Sequence, residues 1–311
     1  MKILIDCDTG GDDAAAITLA LASSDLEVLG ISTCLGNLEL AQTTRNTQLL
    51  LAELQACVDL CAGSDVPLVR QKWVGNPNGK DLLETDKELT PPVGLDLLSF
   101  YHQKLAGASE PVTLVPLAPL TNIAKVILAY PDLVREKVER IVLMGGGIAS
   151  GNTTGAAELN FYADPEAAQI VFGFDVPVVL CGLDVCHKAV ITQEAGQRYF
   201  SYQNKYAKML QYLLKRSWSY RQHGSFNGSI LYDTIPVLYL LYPQIFTGLK
   251  GTISIETASA LCTGATLLSV RKNDGDDLYD KDKQHQAIMD LDLQLYLDKI
   301  EAILAKAEEQ A

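Results

Sequence analysis

The chain opens with the stretch Lys2-Ile3-Leu4-Ile5-Asp6-Cys7-Asp8-Thr9-Gly10-Gly11-Asp12-Asp13, in which a short apolar run is followed at once by glycines and acids. Near-continuous apolarity over Lys2–Cys7 is typical of a strand that a parallel sheet buries on both faces. Four of the last eight residues carry carboxylates, between the end of this strand and the start of a helix. Because open α/β folds bind ligands outside the carboxyl ends of their strands, the stretch predicts a fold class and the position of a site.

Five further apolar runs repeat the strand pattern, at residues 27–34, 58–62, 113–117, 141–144 and 177–181. Helix-length amphipathic stretches lie between them, at residues 12–22, 42–54, 120–129 and 165–172. Asp164, directly before Pro165, is typical of a helix N-cap. The alternation of strand and helix predicts right-handed crossovers. It therefore predicts an α/β fold with a large, doubly wound, mostly parallel sheet and helices on both faces.

The pattern changes after residue 190 and becomes largely helical. The expected elements are one or two helices, an apolar helix, a late pair of strands and an amphipathic closing helix, at residues 195–220, 234–241, 248–256 with 265–270, and 291–305. The chain shows no internal repeat and no low-complexity linker. We therefore expect residues 1–311 to form a single domain whose helical C-terminal part caps the site.

Composition and charge argue against several classes of protein. The 311 residues include 25 Lys+Arg and 38 Asp+Glu, giving a net charge of −13, whereas nucleic-acid binding needs a Lys/Arg-rich face. The same acidity disfavours an anionic membrane surface, and no apolar run reaches the ~18 residues of a transmembrane helix. The N-terminus carries acids where a signal peptide is apolar, and the seven cysteines lack CxxC spacing. We expect a cytoplasmic protein with a small-molecule partner, no nucleic acid and no membrane.

The acids between Asp6 and Asp13 would repel one another or shift their pKa values upward if nothing compensated them. A hard divalent cation resolves this conflict, because Ca²⁺ and Mg²⁺ take carboxylate oxygens. The glycines between the acids allow a tight turn, so that Asp8 and Asp13 can converge on one ion. The alternative is a solvated turn whose acids cap the following helix. Four acids at a strand end favour the metal site.

Two known acidic motifs fit this stretch poorly. An EF-hand loop requires an acid or Asn at its fifth position and Glu at its twelfth, where the chain has Gly10 and Ile17, so this motif is excluded. A haloacid-dehalogenase-type phosphatase also begins with Asp-x-Asp after a strand, and residues 275–280 resemble its late acidic motif. Against a phosphatase of this type, the second aspartate, Asp8, is followed here by Thr9-Gly10 and then by two more acids. A Mg²⁺-dependent phosphohydrolase with Asp6 or Asp8 as nucleophile remains the alternative.

A third pattern fits more of the chain. The run from Asp6 to Asp13 resembles the N-terminal signature of nucleoside hydrolases, the inosine–uridine-preferring ribohydrolase family. Further motifs of that family recur here in the same order and spacing: Gly36-Asn37, Leu120-Thr121-Asn122-Ile123-Ala124, Val142-Leu143-Met144-Gly145-Gly146-Gly147, Gly151-Asn152, Glu158-Leu159-Asn160, Asp164-Pro165-Glu166-Ala167-Ala168, Gly182-Leu183-Asp184 and Tyr232-Asp233. Together these motifs cover roughly residues 1–270.

The resemblance implies an enzyme that hydrolyses the N-glycosidic bond of ribonucleosides, giving free base and ribose, with a tightly bound Ca²⁺. By position, the calcium ligands would be the carboxylates of Asp8, Asp13 and Asp233 and the backbone carbonyl of Leu117. The ribose-binding residues would be Asp12, Asn37, Met144, Asn152, Glu158, Asn160 and Asp233. The ion would orient and acidify a water, and Asp8 would take its proton as general base. The resemblance also suggests a homodimer or homotetramer.

The base side of the site departs from the family pattern. Many family members have a histidine directly before the last metal-binding aspartate, and Tyr232 occupies that position here. A second histidine, usual in the loop after the third strand, is missing from the corresponding residues 76–79. His223, shortly before Tyr232, is a catalytic candidate, and Tyr220 and Tyr232 are rival contacts of the leaving base. A family member that binds nucleoside or ribose without turnover is therefore a third hypothesis. The sequence does not indicate which base is preferred.

Overall fold

The computed structural model describes residues 1–221, 228–270 and 285–309. Its strands are, in chain order, β1 Lys2–Cys7, β2 Glu27–Thr33, β3 Leu60–Ala62, β4 Val112–Pro116, β5 Val138–Met144, β6 Val178–Cys181, β7 Val190–Ile191, β8 Ser229–Ile230, β9 Phe246–Ile255, β10 Thr266–Ser269 and β11 His285–Leu291. Nine of these form one sheet in the order β10-β9-β11-β6-β5-β4-β1-β2-β3, and β7 pairs with β8. From β3 to β11 in this order neighbouring strands are parallel, whereas β9 and β10 are antiparallel to their neighbours. The mostly parallel α/β sheet is confirmed.

Twelve α-helices are found among the described residues. They are α1 Gly11–Ala22, α2 Leu40–Glu53, α3 Leu97–Ala106, α4 Thr121–Ala129, α5 Pro131–Lys137, α6 Leu159–Ala163, α7 Pro165–Gly173, α8 Leu183–Cys186, α9 Gln193–Gly196, α10 Lys205–Arg221, α11 Thr234–Leu241 and α12 Leu293–Glu309. None of the described helices is long and apolar enough to cross a membrane.

The first strand shows how the sequence produces helices on both faces of the sheet. Ile3 and Ile5 of β1 belong to the core that includes α1, α10, α11 and α12, whereas Leu4 belongs to the core that includes α3, α4 and α7. Successive side chains of a strand point to opposite faces, so an unbroken apolar run buries apolar surface on both. The doubly wound arrangement follows from this pattern.

Most predicted elements lie within a few residues of observed ones. The predicted bounds of β1 and α11 are those observed, the late strands form the antiparallel pair of β9 and β10, and Asp164 caps α7 by accepting from the backbone N–H of Ala167 at 3.1 Å. The prediction missed α3, α5, α6, α8, β11 and the short β7–β8 pair, and it placed the closing helix slightly too early. Because α1 packs against both α10 and α11, the C-terminal helices come to the end of β1, where the acidic turn lies.

Candidate functional site

The acidic turn is stabilised by its own backbone. Asp13, in the first turn of α1, accepts hydrogen bonds from the backbone N–H of Asp8 at 3.1 Å and of Gly10 at 2.9 Å. These two bonds close the turn between β1 and α1 and hold Asp8, Asp12 and Asp13 at the carboxyl edge of the sheet. The N-terminus of α1 favours negative charge at this position.

Asp8 is fully buried, and its two carboxylate oxygens have different surroundings. Oδ2 accepts a hydrogen bond from the backbone N–H of Asn37, whereas Oδ1 has no hydrogen-bond partner among the described residues. A Cβ on Gly36 would overlap the Asp8 carboxylate and lie 2.7 Å from Cδ of Pro119, so this close approach requires glycine. Asp8 therefore presents one buried oxygen that a ligand could satisfy.

Asp233 reaches the same turn from a distant part of the chain. It directly precedes α11, is 3 % exposed, and is brought to the turn because α11 packs against α1. Asp12, Asp13 and Asp233 each offer a carboxylate oxygen, and these three atoms lie within 4.8 Å of one another. The group thus contains Asp12, which the resemblance assigns to ribose. Asp8 adjoins the group, because the backbone N–H of Asp8 donates to the carboxylate of Asp13.

Burial and mutual repulsion raise the pKa values of these carboxyl groups. Burial, followed by the charge of Asp12, raises the pKa of Asp13 to about 7. Burial first, and then the neighbouring aspartates, raise the pKa values of Asp8 and Asp233 well above their usual range. A divalent cation would oppose these shifts, because its charge favours the ionised carboxylates. The clustered carboxylates and the unpaired oxygen of Asp8 fit a hard cation, so this site could hold a metal ion.

The start of α6 forms a second polar wall. Glu158 caps this helix, because its Oε2 accepts from the backbone N–H of Asn160 at 2.9 Å. The same oxygen accepts from the N–H of Gly146, in the turn after β5, at 2.8 Å. Burial raises the pKa of Glu158 to about 7. The side-chain amide of Asn160 donates to the backbone carbonyls of Leu117 at 2.9 Å and Met144 at 3.2 Å. Four residues assigned by the resemblance therefore belong to one hydrogen-bonded group at the ends of β4 and β5.

Two predicted ribose contacts lie at the margins of this group. Asn37 is half-buried and lines the cavity above the acidic turn. Asn152 is exposed, and its Oδ1 accepts from the backbone N–H of Leu159 at 3.0 Å and from the hydroxyl of Thr153 at 3.2 Å. The side-chain oxygen of Asn152 therefore stabilises its own loop, and a contact with ribose stays a prediction.

A cavity of about 1610 Å³ opens above the acidic turn. Asp12, Asn37 and Tyr232 line it near the turn, and α10 and the loop of residues 76–87 line it further out. Tyr232 is half-buried, and its ring lies edge-on to that of His187, with 6.0 Å between centroids. His223 lies outside the described residues, as does the side chain of Tyr220, whose backbone is part of α10.

Asn46 is a site residue that the sequence analysis missed. It is 1 % exposed, and its side chain donates to the carbonyl of Thr9 at 2.8 Å and accepts from the N–H of Leu82 at 3.0 Å. The carbonyl of Leu82 accepts in turn from the hydroxyl of Tyr212 at 3.1 Å and from the guanidinium of Arg216. Asn46 thus connects the acidic turn to the outer cavity wall. A polar residue inside a helix was the available signal, since Asn is a poor helix former.

Without a divalent cation, we expect the free energy of unfolding to fall as the pH rises from about 5 to about 8. Burial raises the pKa values of Asp6, Asp13 and Glu158 to about 7 in the folded chain, from ordinary values of 3.8 for an aspartate and 4.5 for a glutamate. The folded chain therefore binds more protons than the unfolded one, and the stability present at low pH is lost through pH 7, by at least about 1 kcal/mol per pH unit. Urea unfolding in a chelator measures this slope. A flat or rising profile would contradict it, and Ca²⁺ should reduce it.

Comparisons with known proteins identify the family to which the chain belongs. The model of the family described as inosine-uridine preferring nucleoside hydrolase matches residues 3–298. The pyrimidine-specific ribonucleoside hydrolase RihA of Escherichia coli K12 is 36 % identical over 275 residues, 86 % of this chain and 88 % of the relative. RihA of Shewanella oneidensis is 37 % identical over 273 residues, 86 % of each chain.

A solved structure extends the similarity to the whole fold. The purine-preferring ribonucleoside hydrolase from Gardnerella vaginalis superposes with a TM-score of 0.84 at 25 % identity, covering 100 % of both chains. The family match, the sequence relatives and the shared fold lead to one assignment. The chain belongs to the inosine-uridine preferring nucleoside hydrolase family and is an enzyme that hydrolyses the N-glycosidic bond of ribonucleosides.

Proposed function

We propose that hydrolysis by this enzyme depends on Ca²⁺ and that Asp8 is the general base. The observation that supports this most directly is the meeting of Asp12, Asp13 and Asp233, together with the unpaired Oδ1 of Asp8, whose backbone N–H is bound to Asp13. Ca²⁺ takes carboxylates and backbone carbonyls in a flexible geometry, whereas Mg²⁺ demands a near-ideal octahedron and retains several waters. The proposed ligands are Asp8, Asp13, Asp233 and the carbonyl of Leu117.

The reaction replaces the bond between ribose C1′ and the base nitrogen with a bond between C1′ and a water oxygen. The bound cation would supply the charge that orients and acidifies this water. The carboxylate of Asp8 accepts the water proton, the electrons of the C1′–N bond leave with the base, and the base then takes up a proton. Positive charge develops on the ribose in the transition state, and the acidic turn stabilises it. The water attacks directly, without a covalent sugar–enzyme intermediate.

The ribose hydroxyls are divided between two sets of residues in this proposal. Asp12, Asn160 and Asp233 hold the 2′- and 3′-hydroxyls, and Asn152 and Glu158 hold the 5′-hydroxyl. Asn37 and Met144 are assigned as further ribose contacts. The fixed amide of Asn160 and the buried carboxylates support this division, because positioned polar groups discriminate between ligands that satisfy them and ligands that do not.

A 2′-deoxyribonucleoside is expected to be hydrolysed at least about a thousandfold more slowly, in kcat/KM, than the matching ribonucleoside. The missing hydroxyl leaves buried acceptors among Asp12, Asn160 and Asp233 without their partner, which is more costly than a lost apolar contact. Release of free base from uridine and 2′-deoxyuridine, and from inosine and 2′-deoxyinosine, measures the ratio. Ratios within tenfold of unity in both pairs would contradict the assigned hydroxyl contacts.

Departure of the base needs a proton donor or a stabilising contact. Among the residues that the structure describes, Tyr232 is the candidate for this role, because it is half-buried and lines the same cavity as Asp12. A tyrosine can act here as a weak acid or as a surface on which the base stacks. His223 and Tyr220 remain proposed contacts on the same side.

The test of the proposed function is a panel of ribonucleosides incubated with the enzyme and Ca²⁺ and assayed for reducing sugar. The panel contains uridine, cytidine, inosine and guanosine, since the relatives differ in the base they prefer.

Phosphate release from nucleotides would instead support a phosphohydrolase. Against that alternative, Asp6 is fully buried. Its Oδ1 accepts from Ser32 at 2.5 Å and Asn122 at 2.7 Å, and its Oδ2 has no hydrogen-bond partner among the described residues. Residues 275–280 lie outside the described part of the chain. Nucleoside binding without product would support the third hypothesis.

We also propose a single domain over residues 1–311, a cytoplasmic location and a homodimer or homotetramer. The nine-stranded sheet takes strands from residue 2 to residue 291, which supports one domain. All seven cysteines are free, as expected in a reducing compartment. Light scattering on the purified protein measures the assembly.

A further inference from the structure

The cavity is larger than a simple ribonucleoside requires, and its outer part is basic. Pockets for small molecules enclose ~300–1,000 Å³, and this cavity encloses about 1610 Å³. Six of the 25 lysines and arginines line it, although the protein carries a net charge of −13. Positive charge is therefore concentrated at the entrance to an acidic site.

One face of α10 contributes three of these six positive charges. Lys205, Lys208, Tyr212 and Lys215 follow one another at intervals of three or four residues and all line the cavity. Residues at these intervals share a helix face. Lys80 lines the same cavity from the loop of residues 76–87. We call these four lysines the basic wall.

Two acids of the outer cavity are already paired. Oδ1 of Asp81 accepts from Nε of Arg45 at 2.9 Å, and Oε2 of Glu53 lies 3.2 Å from Nζ of Lys87. These pairs remove carboxylates that could otherwise neutralise the basic wall. Among the described residues, two acids remain near the wall. Glu84 is exposed in the cavity, and the charge of Lys208 helps to lower the pKa of Glu308.

Contacts with aromatic rings position two ammonium groups of the basic wall. Lys205 lies over the ring of Tyr206 at 5.1 Å, and Lys215 lies over the ring of Phe200 at 4.7 Å. A cation over a ring face is held in place without losing its charge. The wall thus presents fixed positive charge that an anionic group in the cavity can reach.

Resting on the proposed function, we infer that the basic wall selects ribonucleosides whose base carries a carboxylate substituent. The ribose occupies the acidic inner end, so the base at C1′ extends toward α10 and Tyr232. A carboxylate on the exposed edge of the base would then meet the lysines. A 5′-phosphate is disfavoured, because the proposed 5′-hydroxyl contact is the buried carboxylate of Glu158.

The experiment compares acids with their neutral amides of nearly equal size. The pyrimidine pair is 5-carboxymethyluridine and 5-carbamoylmethyluridine, and the purine pair is N6-carboxymethyladenosine and N6-carbamoylmethyladenosine. With Ca²⁺ and low salt, we expect the acid of at least one pair to exceed its amide by about tenfold in kcat/KM and in affinity by calorimetry. Several exposed ion pairs acting together give an effect of that size. It should shrink at about 0.5 M salt.

A double variant, Lys208→Gln with Lys215→Gln, should bring the acid-to-amide ratio of kcat/KM, and that of affinity, close to one. The kcat/KM of the amide should stay unchanged. The matched control, Lys104→Gln with Lys137→Gln, changes the net charge equally on α3 and α5, outside the cavity, and should preserve the ratio. Ratios below about threefold in both pairs, or equal losses in the two variants, overturn this inference. A preserved affinity ratio without hydrolysis of any nucleoside would overturn the proposed function and leave the anion preference standing.

Discussion

Replacement of Asp8 by asparagine is expected to lower kcat for ribonucleoside hydrolysis by about a thousandfold while the fold is retained. An amide keeps the volume of the side chain and can still accept from the N–H of Asn37, but it cannot take a proton from water. General-base catalysis contributes ~10²–10⁴ in rate. Because the carboxylate is buried among other acids, its removal should also raise the melting temperature of the cation-free protein.

A buried aspartate outside the acidic turn provides the control for Asp8→Asn. Asp164 is fully buried and accepts from Leu68, Thr121 and Ala167, at the start of α7. Asp164→Asn should lower stability and leave kcat of the folded enzyme nearly unchanged. Activity of Asp8→Asn within tenfold of the parent enzyme would rule out Asp8 as the base.

Removal of divalent cations with a chelator is expected to abolish hydrolysis, and added Ca²⁺ is expected to restore it. Asp233→Ala should weaken cation binding by more than about a hundredfold, since even partners behind the direct ligands contribute ~10- to 100-fold. The physical reason is that Asp233 supplies one of the three clustered carboxylates, and alanine has no oxygen to take its place. Calorimetry with Ca²⁺ on the cation-free protein measures the affinity.

A second helix-terminal aspartate separates cation binding from helix capping. Asp96 caps α3 by accepting from Leu98 and Ser99 at 3.0 Å, and it does not line the cavity. Asp96→Ala should cost about 1 kcal/mol of stability, as a lost cap does, without changing Ca²⁺ affinity. Full activity in a chelator, or equal affinity of the Asp233 variant and the parent, would remove the metal from the proposal.

The elements that could be predicted are those whose sequence is uniformly apolar or clearly amphipathic. β1 and α11 are of this kind, and their bounds were predicted correctly. β11 begins with His285-Gln286 and contains Asp290, so its sequence resembles a loop. It becomes a strand because β6 and β9 lie on either side of it and satisfy its backbone.

The site could be predicted in part for a related reason. The opening aspartates are adjacent in sequence, so their position at the end of a strand follows from local pattern alone. The approach of Asp233 depends on how α11 packs against α1, and only the family resemblance indicated it. The contact between Asn46 and Leu82 joins a helix to a loop without regular structure, and no periodic pattern encodes such a contact.

The backbone of Leu82 has a consequence for how this enzyme could change its substrate. Its N–H is bound to α2 through Asn46, and its carbonyl is bound to α10 through Tyr212 and Arg216. An insertion or deletion near this residue would break both attachments and disturb the catalytic turn through Thr9. Evolution or engineering of base preference in this chain is therefore expected to proceed by single replacements along exposed helix positions, with the length of the loop kept constant.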